Sequence, residues 1–246
     1  MNKIKIGAVS YLNTKPLLYG IKNSKIIDEI ELIEDYPSKI AAMLIDGKID
    51  VGLVPVVIMS QLTNSQIISN YCIGANNEVA SVALFSNYEM EDIDTVILDF
   101  QSRSSVALVK VLFKRYWKKE VIYKNASENY IDEIDKNIGG VIIGDRALQY
   151  QHQFKFHYDL ASAWRKYTNL PFVFAAWIAN KELPKEFIEK FNEANKTGLE
   201  NLSLVINENP CDYYDLNKYY TENISYNFDD QKKKGLELFL KLIKEL

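Results

Sequence analysis

Short apolar runs alternate with segments of helical periodicity along most of this chain, and the alternation starts afresh near residue 95. Residues 3–9, 29–34, 50–57, 67–73 and 81–85 read as strands, rich in Ile, Val and Leu. Residues 14–21 read as a helix with Asn13 or Thr14 as its cap and Pro16 in the first turn, where a missing N–H costs little. Residues 37–46 read as another, with Ile40, Ala41, Leu44 and Ile45 on one face and Gly47 to end it. The second run places strands at 95–100, 121–124, 141–143, 154–158 and 172–178, and a helix over 104–119. Residues 184–205, 211–220 and 228–246 read as helices. Strands alternating with helices predict an α/β class with largely parallel sheets. The order suggests two lobes, 1–86 plus 177–246 and 87–176, with a two-strand hinge near Ser86 and Trp177 and a ligand in a central cleft.

Composition narrows the classes. The 246 residues are 48% apolar and 25% charged, which suits a globular chain. A formal net charge of −4, with both signs interspersed, argues against a nucleic-acid partner. No stretch reaches the length of a membrane span, and the N-terminal apolar run is too short for a signal peptide. Cys72 and Cys211 lack any paired spacing and suit a reducing compartment. The expectation is a cytoplasmic protein with no membrane partner.

Several chemistries find no support. The nucleotide-phosphate loops GxGxxG and GxxxxGK[ST] and the GxSxG elbow are missing. His152 and His157 have no Cys or acidic companions at ligand spacing, so surface histidines are expected and no metal site. Cys72 ends a strand-like run and reads as a buried structural thiol. Any reaction here proceeds without a redox cofactor that the residues reveal.

Polar clusters follow the apolar runs, where the carboxyl ends of parallel strands would lie and where α/β sheets bind ligands. The first holds Ser10, Tyr11 and Asn13; the second holds Ser102, Arg103, Ser104 and Ser105. The second opens a long helix, so free N–H groups, hydroxyls and a guanidinium together suit a carboxylate; a serine cap beside a solvated arginine fits the same residues. Gly144 permits close backbone approach, and Asp145 is placed to cap the following helix, which alone would account for it. Trp164 and Arg165 either line a cleft or cover their own helix. Pro55 and Ser81 complete the candidates; Ser81 reads equally as a plain strand residue.

The stretches VSYLNTKPL, DVGLVPV, ASVALFS, SRSSVALVKVLF, IIGDRAL and DLASAWRKYTNLPFVFAAW, in this order, resemble the menaquinone-biosynthesis family that contains chorismate dehydratase. The resemblance implies a two-lobe fold like the type 2 periplasmic binding proteins. It implies chorismate as the small-molecule substrate, dehydrated to 3-(1-carboxyvinyloxy)benzoate at the start of the futalosine route. On the reading it implies, Asn13 and Ser81 are catalytic and Ser102, Arg103, Ser104 and Ser105 bind a substrate carboxylate; Ser10, Tyr11, Pro55, Gly144, Asp145 and Trp164 are expected to bind substrate from their positions after the apolar runs. A sister branch, which forms 1,4-dihydroxy-6-naphthoate, carries a Ser-Pro-Cys-Pro-Asn-like segment where this chain has Ser10, Tyr11, Leu12 and Asn13. A solute receptor without catalysis is the reading from another class. One departure from the family pattern is Phe100-Gln101, where a small hydroxyl residue is expected after Asp99.

Overall fold

The computed structural model describes residues 3–99 and 101–246. In chain order its elements are β1 (Ile4–Ala8), α1 (Lys15–Lys22), β2 (Ile30–Glu34), α2 (Pro37–Ile45), β3 (Val51–Pro55), β4 (Gln66–Ala75), β5 (Val82–Ser86), β6 (Thr95–Leu98) and α3 (Arg103–Leu112). Then come β7 (Ile122–Asn125), β8 (Ile138–Ile143), α4 (Gly144–Tyr150), β9 (Phe156–Asp159), α5 (Leu160–Thr168) and β10 (Phe172–Ala179). The chain closes with α6 (Lys185–Glu200), α7 (Leu202–Glu208), α8 (Leu216–Lys218), β11 (Ser225–Asn227) and α9 (Asp230–Ile243).

The chain forms two compact units. One comprises 3–74 with Val173–Asp229 and the other Ala75–Phe172 with Asp230–Leu246. The first unit holds a six-stranded sheet in the order β11-β4-β10-β3-β1-β2. Strand β1 runs parallel to β2 and β3, while β10 lies antiparallel to β3. Every residue of β3 is buried, as expected of a central strand covered on both faces. Helix α1 crosses α6 with Gly20 and Gly198 at the contact, where either Cβ would overlap the backbone of the other helix. The second unit holds a five-stranded sheet in the order β7-β6-β8-β5-β9. Strand β6 is parallel to β7 and β8, whereas β5 is antiparallel to β8 and β9. Phe85, Ile97, Tyr130, Ile134 and Ile142 form a core on one of its faces.

The α/β class holds, with corrections. The sheets are mixed rather than largely parallel. Strand β5 pairs on both sides within the second sheet, so the first passage between units falls after Gly74 rather than at Ser86. A further passage follows Asp229, because α9 carries Phe239 into the second unit's core against Trp164 and Phe172. The helix expected over 104–119 leaves α geometry at Leu112 and widens into a π turn, Phe113–Trp117, before Lys118 takes a left-handed φ of 52°. Residues 211–220 hold only the short α8, capped by Asp215, and the opening of a π turn, Tyr219–Asn223; the tail also contains the strand β11. Cys72 is fully buried, as expected. Among the described residues no helix is long and apolar enough to cross a membrane.

Candidate functional site

In the first unit, β1 ends at Ala8 and leads through Ser10 and Tyr11 into one 3-10 turn, Leu12–Thr14, that runs straight into α1. Neither Asn13 nor Thr14 caps α1 through its side chain. Their groups bond each other instead: Thr14 Oγ1 donates to Asn13 Oδ1 at 3.1 Å, which leaves the amide NH2 as the donor end of Asn13. The Tyr226 hydroxyl, from the strand missed in the sequence, donates to the Asn13 carbonyl at 2.9 Å. Lys15 Nζ reaches Ser10 Oγ at 2.7 Å. Pro55 ends β3, the parallel neighbour of β1, so it stands at the same edge of the sheet; across it lies Ala175 of β10.

In the second unit, the end of β6, the end of β8, the start of β5 and the end of β9 share one sheet edge, as the strand registers require. That edge brings most of the second-half candidates together. Ser81, fully buried, accepts the Gly144 N–H at its carbonyl, 2.8 Å away. Gly144 has φ +64°, a conformation that glycine alone takes cheaply, so its place in the motif has a backbone reason. Asp145 does not cap α4: the cap position belongs to Ile143, and Asp145 sits in the first turn, where its charge complements the helix dipole.

Arg146, one residue on, reaches across to Asp99 just past β6, Nη2 to Oδ2 at 2.6 Å. The same Oδ2 lies 2.8 Å from the Tyr130 hydroxyl, and Oδ1 accepts the Gln101 N–H at 2.7 Å. Burial raises the Asp99 carboxyl above its ordinary range, against the pull of the Gln101 N–H, Arg146 and Tyr130. Of the Phe100-Gln101 pair, Phe100 lies outside the described residues, and Gln101 is held by this bond.

Helix α3 begins at Arg103 with Ser102 as its cap. Ser102 Oγ accepts the Ser105 N–H at 3.2 Å and donates to Ser105 Oγ at 2.8 Å. Capping therefore accounts for both serines. Ser104 Oγ is buried and has no hydrogen-bond partner among the described residues. Arg103 is exposed; with Asp99, Ser102, Lys110 and Tyr123 it lines a cavity of about 730 Å³. Trp164 is a correction: it is fully buried, its Nε1 donates to the Pro171 carbonyl at 3.2 Å, and its ring packs on Phe172 and Phe239. It belongs to the core of α5 and α9. Asp99, Tyr130, Arg146, Asp159 and Tyr226 did not stand out in the sequence. An acidic residue directly after an apolar run was the available signal for Asp99; Asp159 follows the mixed stretch FKFHY, where only its place at the end of a strand-like segment offered one.

A family model described as menaquinone biosynthesis matches residues 4–245. A protein of Thermus thermophilus named chorismate dehydratase is 24% identical, over 97% of this chain and 94% of its own. One of Campylobacter jejuni with the same name is 27% identical, over 98% and 97%. A crystal structure of an Archaeoglobus fulgidus protein superposes with a TM-score of 0.78 at 14% identity, over 99% of this chain and 97% of that one. A Candida albicans protein, described as having the generic periplasmic binding protein fold, gives 0.64 at 15%, over 100% and 91%. The periplasmic aliphatic sulphonate binding protein of Escherichia coli gives 0.61 at 11%, over 100% and 92%. The fold is thus of the periplasmic-binding-protein kind.

Proposed function

The chain belongs to the menaquinone-biosynthesis family, and from that premise we propose that it is a chorismate dehydratase, forming 3-(1-carboxyvinyloxy)benzoate and water on the futalosine route. The observation that carries this reading is similarity along nearly the whole chain to two relatives of that name.

The chemistry matches the residues. A proton leaves the ether-bearing ring carbon, its electron pair closes a ring double bond, and the neighbouring C–O bond breaks to release the hydroxyl as water. The ring becomes aromatic, so the step runs strongly downhill and is redox-neutral. What remains for the protein is to orient a dianion and assist the leaving group. Asn13 and Ser81 are assigned to the substrate and leaving-group oxygens. An amide and a hydroxyl are donors of this kind, not bases able to take a proton from carbon. The base in this reading is a carboxylate of the substrate, held close to the C–H. Arg103 and the start of α3 are assigned to a carboxylate. Each preorganised donor at a developing charge is worth about 3 kcal/mol.

The test is to incubate the purified protein with chorismate and follow the aromatic product by mass and absorbance. Stoichiometric conversion is expected. Binding without product would favour the solute-receptor reading; neither binding nor product would reject both.

A further inference from the structure

Asp159, the last residue of β9, accepts backbone hydrogens from two separate segments. Oδ1 takes the Ser162 N–H at 2.8 Å and so caps α5. Oδ2 takes the Val79 N–H at 3.0 Å and the Ala80 N–H at 2.9 Å. A cap accounts for the first bond but not for the other two.

The segment it grips is strained. Ala80 has φ +62°, and the Ser81 N–H donates to the Val79 carbonyl at 2.7 Å. A three-residue turn with positive φ is the rare and unfavourable hand of the γ-turn. Such a conformation persists in a non-glycine residue only where the surroundings over-determine it. Here they do. Gln151 Nε2 donates to the Ala80 carbonyl at 3.1 Å, and Gly144 N–H to that of Ser81 at 2.8 Å. Every backbone polar group from 79 to 81 is therefore bonded, two of them to Asp159.

We propose that Asp159 is a positioning residue for Ser81, its carboxylate holding the 79–81 turn in the conformation that sets the Ser81 side chain. The assignment rests on the reading of Ser81 as a catalytic residue. Asp159 faces Glu78, Tyr116, His157, Tyr158 and Lys166 around a cavity of about 390 Å³. Burial, reinforced by Glu78, pushes its carboxyl up to about 6 against the pull of the three N–H groups. Protonation weakens the acceptor, so turnover falls on the acid side of that value.

Asp159→Ala tests the clamp, because it removes both acceptor oxygens and leaves the Val79 and Ala80 N–H groups without their partner. A displacement near 1 Å costs about 100-fold in rate, so kcat is expected to fall by about that factor with KM nearly unchanged. The acid limb near pH 6 disappears. Amide exchange at Val79 and Ala80 accelerates. Adding Ala80→Gly restores part of kcat, about tenfold, since glycine takes positive φ without strain. A folded Asp159→Ala protein with native kcat, or with native exchange at Val79 and Ala80, overturns the proposal. If that variant does not fold, Gln151→Leu replaces it: a smaller loss of kcat supports the proposal and native kcat overturns it. If the native chain leaves chorismate untouched, the functional reading fails, and exchange alone then decides the clamp.

Discussion

Arg146 Nη2 meets Asp99 Oδ2 at 2.6 Å, a half-exposed guanidinium closing over a carboxylate with no exposed surface. The Tyr130 hydroxyl has one hydrogen and two acceptors, Asp99 Oδ2 at 2.8 Å and the Val141 carbonyl at 2.9 Å. When Asp99 is ionised it takes that hydrogen. When Asp99 is protonated, Tyr130 can turn to Val141 and accept from Asp99 instead. The trio therefore has a satisfied arrangement in either state.

Arg146→Met should expose this. Burial already raises the Asp99 carboxyl, and losing Arg146 raises it further. A carboxyl raised in the folded state contributes stability that is fully present below its unfolded value and is lost as pH rises through the folded one. The variant should be near native at low pH and fall behind as pH rises, by about 3 kcal/mol once Asp99 is forced to ionise. Thermal unfolding at acid and at slightly alkaline pH measures the widening gap.

Ser102→Ala removes the cap of α3 and the partner of Ser105 Oγ. A loss of about 1 kcal/mol in urea unfolding is expected, with Ser102→Gly costing a few tenths.

Gly198→Ala tests the crossing of α1 and α6. The added methyl would overlap the Pro16 carbonyl, at the start of the helix that follows Asn13. Destabilisation of about 3 kcal/mol is expected in denaturant, because backbone rather than a flexible side chain must give way.

Tyr226→Phe leaves the Asn13 carbonyl without the donor it has at 2.9 Å. About 1–2 kcal/mol of stability should go with it. Turnover should fall as well, since the bond fixes the backbone of a proposed catalytic residue; kinetics and unfolding on one preparation check both.

The strands were legible because their apolar runs are long enough to show a pattern, as in β3 and β10. Strand β11 has three residues, too few for any period, so Tyr226 and its hold on Asn13 were invisible. Trp164 misled through its neighbours. Arg165, Lys166 and Tyr167 suggest a polar wall, yet helical spacing sets Trp164 beside Leu160 and Ala161 on the buried side. The serines of α3 could be named but not apportioned, since one Ser-x-x-Ser pattern serves capping and ligand binding alike. Nothing local links Asp99 to Arg146 or Asp159 to Ala80. Those bonds join segments 47 and 79 positions apart, and only the sheet registers bring them together.

The most direct measurement is the turnover of chorismate by Asn13→Ala. With the native far-UV spectrum retained, kcat should drop about 100-fold or more, the loss typical of a donor at a developing charge. Full turnover by a folded Asn13→Ala protein would contradict the account.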